Sequence, residues 1–507
     1  MVDRVGPLSI DRKARLQIPH EPVAKRPASV RVGDFCEVSL GYDAETAQIE
    51  ATRCIQCPTP APCQLACPLH NDIPLALWLI SQGEFEQAAN VFRQTSPLSE
   101  VCGRICPQEV LCQGSCTLMR RDLPVYVGKL EAFVADVQRE RSGFPPPAPA
   151  LPTGRRAAIV GAGPAGLAAA EELTRRGHSV TVFDAWPQPG GLLVYGIPGF
   201  KLDKRIVAQK VAYLESIGVT FVCNTLVGRD IRLDDLLDGE QFDAVFLGTG
   251  TSLPVSLDIP GEDLQGVYQS TDFLLTPSPS PPIKSGERGW GEEPRVGKNV
   301  IVIGGGDTAM DCVRTARRVQ QQVGLADSRV TCVYRRSEAE MPGRAEERVN
   351  AREEGVLFEY LTAPVRFISD EEGHVRAVEF IRMQLGEPDA SGRRRPVAVP
   401  GSNYVAFVDT VVCALGYRAD PLVAETTPDL RVNKWGLIVV DPQTGATSRP
   451  GVYAGGDNVS GADLVVTALA AGRRAARAMD EYLRGLPVQE TYTMPQVRVA
   501  ANAFVER

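Results

Sequence analysis

The 507-residue chain lacks an excess of positive charge: 54 Lys and Arg stand against 62 Asp and Glu, for a formal charge of −8 and a pI near 5.4. Sequence-independent binding to nucleic acid depends on clustered cations that displace counterions, so no nucleic-acid partner is expected. Residues 1–20 hold no apolar core of the kind a secretory leader needs, and no run approaches the roughly 18 apolar residues that span a bilayer. A cytoplasmic protein without a membrane partner is expected. No solenoid-type repeat is present. With 44% hydrophobic and 23% charged residues, the length suits an ordinary globular protein of roughly three domains.

Cysteine is unevenly spread. Nine of the 13 lie between Cys36 and Cys116, and Cys223, Cys312, Cys332 and Cys413 are isolated downstream. In a reducing cytosol such crowding points to metal or redox sites rather than disulfides. Two runs stand out: CIQCPTPAPCQLACP, with Cys54, Cys57, Cys63 and Cys67, and VCGRICPQEVLCQGSC, with Cys102, Cys106, Cys112 and Cys116. Two quartets suggest two centres, and Pro after Cys67 and Cys106 is similar to the cysteine runs of cluster ferredoxins. Tetrahedral zinc is the competing reading, since CxxC pairs also hold zinc. The isolated cysteines and Cys36 read as small core residues.

After the Pro- and Gly-rich stretch GFPPPAPALPTG (residues 143–154), which reads as a linker, residues 157–185 read as strand, glycine turn, helix and strand. Gly161, Gly163 and Gly166 supply GxGxxG, which allows backbone to approach a pyrophosphate at a helix N-terminus. Asp184 ends the second strand, where a carboxylate accepts from ribose hydroxyls. A second copy starts at NVIVIGGGDTAMDCVRTARR (residues 299–318), where Gly304, Gly306 and Ala309 give GxGxxA. Its partner strand ends at Tyr334 with Arg335 and Arg336 in place of an acid. Two guanidinium groups there suit a 2′-phosphate, so NADPH is expected over NADH. A third glycine-rich segment, residues 451–479, carries Asp457, placed to meet the ribityl chain of FAD. That order fits a flavin domain interrupted by a pyridine-nucleotide domain. The Pro-rich stretch 276–294 reads as a surface loop near the crossing.

Five longer motifs carry a resemblance: VCGRICPQEVLCQGSCTL (101–118), GGLLVYGIPGFKL (190–202), GGGDTAMDCVRTARR (304–318), YRRSEAEMPG (334–343) and AGGDNVSGADLVVTA (454–468). Over about residues 54–479 the chain resembles the small subunit of bacterial NADPH-dependent glutamate synthase. The same module is similar to the N-terminal half of dihydropyrimidine dehydrogenase and to the large subunit of NADH-dependent ferredoxin:NADP oxidoreductase. The resemblance implies FAD, NADPH and two [4Fe-4S] clusters with interleaved ligands: Cys54, Cys57, Cys63 and Cys116 for one, Cys67, Cys106, Cys112 and Glu131 for the other, with Cys102 spare. Glu131 falls in LPVYVGKLEAFVADV, which reads as an amphipathic helix from about Val127. Five residues separate Cys57 from Cys63, where the family usually has four.

The expected fold is α/β: two Rossmann-like dinucleotide domains, one inserted in the other, after a mainly α-helical ferredoxin-like domain. The expected limits are 1–145 for the iron–sulfur domain, 146–155 for the linker, 156–290 with 405–485 for the FAD domain, 291–404 for the NADPH domain, and 486–507 for a tail. The expected FAD contacts are Gly161, Gly163, Ala165, Gly166, Asp184, Gly191, Leu192, Thr249, Gly250, Gly456 and Asp457. Those for NADPH are Gly304, Gly306, Asp307, Thr308, Ala309, Arg335 and Arg336. The expected activity is electron input: hydride from NADPH to FAD, then single electrons through the clusters to a large catalytic subunit in a hetero-oligomer. The family implies glutamate formation from glutamine and 2-oxoglutarate. The same module in another ferredoxin- or 2-oxoacid-linked complex is the alternative. A disulfide reductase would need a CxxC pair in its nucleotide domain, whereas Cys312 and Cys332 are twenty residues apart.

Overall fold

The computed structural model describes residues 10–147, 150–237, 241–275, 296–389 and 392–487. The Pro-rich stretch 276–294 and the tail from 488 onward lie outside them. Among the described residues no helix is long and apolar enough to cross a membrane.

The N-terminal region is helical, as its pattern requires. Asp43 accepts from the Thr46 amide at 2.8 Å and starts helix Ala44–Thr52, and Asp72 caps helix Ile73–Ser81 through the Leu75 amide. Ile73, Leu77 and Ile80 of that helix are buried against helices Phe85–Arg93 and Val127–Arg141. Helix Ser99–Ile105 packs on Val127–Arg141 at unusually close range. A Cβ on Gly103 would lie 2.5 Å from the Ala132 nitrogen, so only glycine allows this approach.

Two five-stranded parallel sheets follow. The first runs Val452–Ala454, Ala244–Leu247, Arg156–Val160, Ser179–Phe183, Val219–Val222 from edge to edge. The second runs Leu357–Tyr360, Arg329–Tyr334, Asn299–Ile303, Thr410–Cys413, Val267–Gln269. Their strands are near-continuous apolar runs, as parallel sheets covered on both faces demand. Val267–Gln269 and Thr410–Cys413 lie outside the expected limits 291–404 on either side, so the second sheet reaches further in sequence than the Pro-rich stretch suggested. An antiparallel sheet of Thr362–Ser369, Val375–Pro388, Arg394–Ala398 and Tyr404–Phe407 is inserted before the last central strand.

The helical region and the first sheet share one hydrophobic core. Cys67, Cys102 and Cys106 belong to the same buried cluster as Ala162, Ala165 and Leu193, which flank the first glycine turn. The second sheet has its own core around Val302, Met310 and Cys332. The linker is anchored on this body: Phe144 packs beside the Tyr213 ring at 5.1 Å, and Tyr213 donates its hydroxyl to the Pro145 carbonyl at 3.2 Å.

Candidate functional site

Because all strands of each sheet are parallel, every loop that follows a strand in the first sheet emerges on one edge. Gly161 follows Arg156–Val160, Asp184 follows Ser179–Phe183, Thr249 and Gly250 follow Ala244–Leu247, and Gly456 and Asp457 follow Val452–Ala454. Gly161 has φ +101°, and a Cβ there would lie 2.3 Å from the Gly248 carbonyl oxygen. Gly166 presses on the carbonyl of Gly161, where a Cβ would come within 1.8 Å. Nothing lies within 4 Å of the Cβ position of Gly163, which starts helix Pro164–Arg175. The turn therefore presents open backbone and helix amides, the seat a pyrophosphate needs. Gly191, with φ +53°, and Leu192 close one side, since the Cβ position of Gly191 is 2.8 Å from Gly163 Cα.

The C-terminal segment reaches this edge through small residues. Gly472 of helix Val465–Leu483 lets that helix press on Ala165, whose carbonyl oxygen is 2.1 Å from its Cβ position. Asn458 donates its side-chain amide to the Leu247 carbonyl at 2.9 Å and fixes the Asp457 loop beside Gly248. Asp184 is buried, and its two oxygens accept from the amides of Ala162 at 2.5 Å and Trp186 at 2.7 Å. The acid read as a ribose acceptor also braces the glycine turn.

The second sheet repeats the geometry. Gly304 has φ +151°, and a Cβ there would lie 2.3 Å from the Ala414 carbonyl oxygen, while the Cβ position of Gly306 is open. Asp307 and Thr308 open helix Asp307–Gln322, and Ala309 is fully buried. Asp307 Oδ1 accepts from the Arg344 amide at 3.1 Å, and Gly343 donates its amide to the Gly305 carbonyl at 3.0 Å. The two arginines after Tyr334 part company. Arg335 is exposed, whereas Arg336 is buried, donating to Asp389 Oδ2 at 2.7 Å and to the Arg394 carbonyl at 2.8 Å. Both lie in the bend after the strand end, where one guanidinium is left exposed and the other is taken up by the hairpin.

A clamp missed in the sequence ties the two units together. Lys201 Nζ lies 2.9 Å from Asp311 Oδ1, and the Phe200 ring lies under the guanidinium groups of Arg314 and Arg318 at 4.4 and 4.0 Å. Both arginines and Arg31 pair with buried Glu354, at 2.9, 2.6 and 2.8 Å. The residues of GGLLVYGIPGFKL and GGGDTAMDCVRTARR beyond the glycines thus set the position of one nucleotide unit against the other.

The cysteines form two adjoining groups. Cys54, Cys57, Cys63 and Cys116 line one cavity of about 30 Å³ whose remaining wall is mainly apolar, including Ile73, Leu77 and Val127. Burial, followed by the charges of Cys116 and Cys57 against the help of the Gln56 amide, pushes the Cys54 thiol up to about 12. Cys63 is pushed up too, by burial and then by Cys54, Cys116 and Cys57. Gln56 donates its side-chain amide to Cys54 Sγ at 3.5 Å, and Thr117 Oγ1 lies 3.3 Å from Cys57 Sγ.

In the second group burial pushes Cys67 up to about 12, with Glu131 and Cys102 adding to it. Cys106 is raised by the Cys102 thiol, burial, Glu131 and Cys112; Cys112 is raised by burial, Cys67, Glu131 and Cys63. Cys112 thus feels the charge of members of both groups. Glu131 sits in helix Val127–Arg141 and is only 6% exposed; burial raises its carboxyl to about 8, although Ser99 donates its hydroxyl to Oε1 at 2.7 Å. Ser99 and Gly103, which build this corner, were missed in the sequence.

Soft thiols that cannot ionise alone in an apolar wall suit a centre that supplies positive charge. Among the described residues, no three His, Cys, Asp or Glu side chains gather as ligands of a single ion.

Two glycine turns, the first of which shares a core with the cysteine groups, define a nucleotide-dependent oxidoreductase. Residues 155–472 match the family described as pyridine nucleotide-disulphide oxidoreductase, and residues 31–143 match dihydropyrimidine dehydrogenase domain II, 4Fe-4S cluster. The chain belongs to the family of the NADPH glutamate synthase small chain: it is 42% identical to that of Escherichia coli (strain K12) over 468 residues, 90% of this chain and 96% of that one. It is also 39% identical to the NADP(+)-dependent formate dehydrogenase subunit beta of Moorella thermoacetica over 88% of this chain, though it spans only 62% of that relative. The solved structure of Mycobacterium tuberculosis FprA in complex with NADPH shares the fold, with a TM-score of 0.54 at 21% identity over 65% of this chain and 85% of that one.

Proposed function

We propose that this protein is an electron-input subunit that draws hydride from NADPH and hands single electrons to a larger redox partner. The observation that carries the reading is the shared core: the turn at Gly161, Gly163 and Gly166 and the cysteine groups are built on one continuous set of buried side chains. FAD, when bound, takes up a hydride and gives electrons back singly, and [4Fe-4S] clusters carry them one at a time.

The protein's own residues do the positioning. Gly163 and Gly306 leave backbone room for the two pyrophosphates. Asp457 would hold the ribityl chain, and Arg335 would pair with a 2′-phosphate while Arg336 steadies the neighbouring hairpin. Lys201, Phe200 and Glu354 keep the two nucleotide seats in register. Cys54, Cys57, Cys63 and Cys116 would bind one cluster, and Cys67, Cys106, Cys112 and Glu131 the other.

The large subunit of glutamate synthase is the proposed partner, supported by the 96% of the small chain that this sequence covers. The similarity to a formate dehydrogenase beta subunit keeps a second reading, the same module serving another NADP-linked complex. Anaerobic NADPH titration of FAD-loaded Cys54→Ser is the test. The flavin should bleach as in wild type while transfer to the co-purified partner is lost. A flavin that stays oxidised would overturn the proposed path, and the identity of the co-purified chain separates the two partners.

A further inference from the structure

We infer that Ser99 is a positioning residue for the metal centre at Glu131, its hydroxyl holding Oε1 of the carboxylate and leaving Oε2 as the donor atom. This rests on the reading of Glu131 as a ligand and names how that ligand is aimed and tuned.

Ser99 opens helix Ser99–Ile105 and is 1% exposed. A serine at a helix start commonly turns its hydroxyl back to the free amides of the first turn. Ser99 itself follows the cap residue Leu98, and its hydroxyl crosses to Glu131, 32 residues away in sequence, at 2.7 Å. Among the described residues it is the only hydrogen-bond donor to that carboxylate. Arg93, the cation whose charge acts on Glu131, donates its Nε to Gln138 at 2.6 Å and its Nη1 to Glu100 at 3.0 Å. Among the described residues no ion pair reaches the Glu131 carboxylate. Its charge acts on Cys67, Cys106 and Cys112, the thiols read as its fellow ligands.

The close packing that brings Ser99 there is specific. Gly103, one turn on in the same helix, is the residue whose missing side chain lets the helix approach Ala132, next to Glu131. The pair Ser99 and Glu131 is thus held by rigid helices rather than loops, the arrangement in which a neighbour's hydrogen bond can fix a ligand's orientation. A hydroxyl donated to an anionic ligand draws off part of its negative charge. It favours the reduced, more negative state of the centre and raises its potential relative to a ligand without that bond.

The experiment uses the full chain with its flavin and clusters, as wild type, Ser99→Ala, Ser99→Thr and Glu131→Ala. Iron and FAD content, the electron paramagnetic resonance of each reduced centre, and its midpoint potential are read. Ser99→Ala should keep FAD and change one resonance, whose centre titrates at a more negative potential, while the other is unmoved. Ser99→Thr should restore the wild-type signal and potential. Should Ser99→Ala lose iron outright, restoration by Thr still supports the hydroxyl's role. Failure of Thr to restore either property overturns it, as does a Ser99→Ala protein with wild-type signals and potentials. Glu131→Ala separates the two layers. If it alters one centre while Ser99→Ala leaves both unchanged, the ligand reading stands and the inference falls. If Glu131→Ala leaves both resonances and the iron content unchanged, the ligand reading falls and takes the inference with it.

Discussion

The two dinucleotide units have the same backbone and opposite chemistry at its edge. In each, the first glycine has a positive φ and lies against a carbonyl from the neighbouring strand's loop, Gly248 in one and Ala414 in the other, and the middle glycine opens onto free space. They differ at the third position, Gly166 against Ala309, and at the strand tip, Asp184 against Arg335. The common part is what any pyrophosphate needs. The differing part is where one nucleotide is distinguished from another.

The largest expected effect comes from erasing the difference at the third position. Gly166→Ala puts a methyl within 1.8 Å of the Gly161 carbonyl, so either the helix or the turn must move. Overpacking of this kind costs roughly 1–3 kcal/mol, and the turn that moves is the one meant to seat FAD. We expect purified Gly166→Ala to lose most of its FAD, read from visible absorbance. The reciprocal Ala309→Gly should retain FAD and lose about 1 kcal/mol, the ordinary helix penalty of glycine, in a denaturant melt. Equal effects of the two would break the comparison.

The strand tip gives the next effect. Removing the Arg335 guanidinium should cost about 1.5–3 kcal/mol of NADPH binding, roughly 10- to 100-fold in KM, with little change for NADH. Arg336→Ala should behave differently, because its partner is Asp389 on the hairpin and not solvent. It should lower thermal stability by on the order of 1–2 kcal/mol and leave the ratio of NADPH to NADH activity unchanged. A shift of that ratio by Arg336→Ala but not by Arg335→Ala would reverse the assignment.

How much of this was legible follows from the range of each interaction. The glycine turns, the helix from Val127 and the return segment at Gly456 and Asp457 are local patterns, and each was readable within some thirty residues of sequence. Arg31 meets Glu354 across 323 positions, and no local pattern announces it. Ser99 meets Glu131 across 32 positions, and only the packing at Gly103 brings the two together. The strand Val267–Gln269 has three residues, too few for periodicity to register, so the second sheet extends further than the Pro-rich stretch implied. Adjacency in sequence groups Arg336 with Arg335, whereas in the bend after Tyr334 one is exposed and the other is buried against the hairpin.

A last expected effect separates the units by pH. After strand Val452–Ala454 the first unit carries Asp457, whereas after Thr410–Cys413 the second reads ALGYRA with no acid before Asp420. Burial pushes the Asp457 carboxyl from 3.8 up to about 7, against the pull of the Asp463 amide and with the Asp463 charge adding to the rise. The folded protein thus binds this proton more tightly than the unfolded chain. The contribution is fully present below about pH 4 and is lost as pH rises through about 7, at up to about 1.4 kcal/mol per pH unit within that window. Asn in its place stays neutral throughout. In FAD-stripped protein, the stability of Asp457→Asn should therefore gain on wild type between pH 5 and 7.5, as read from urea midpoints at each pH, and other titrating groups cancel in the difference. Parallel curves would mean that Asp457 is as well solvated as a surface acid. With FAD bound the gap should narrow, because a ribityl hydroxyl donated to the ionised carboxylate stabilises the charged form that burial opposes. A gap that widens on FAD binding would place the carboxylate away from the flavin and remove the chemical distinction between the two strand ends.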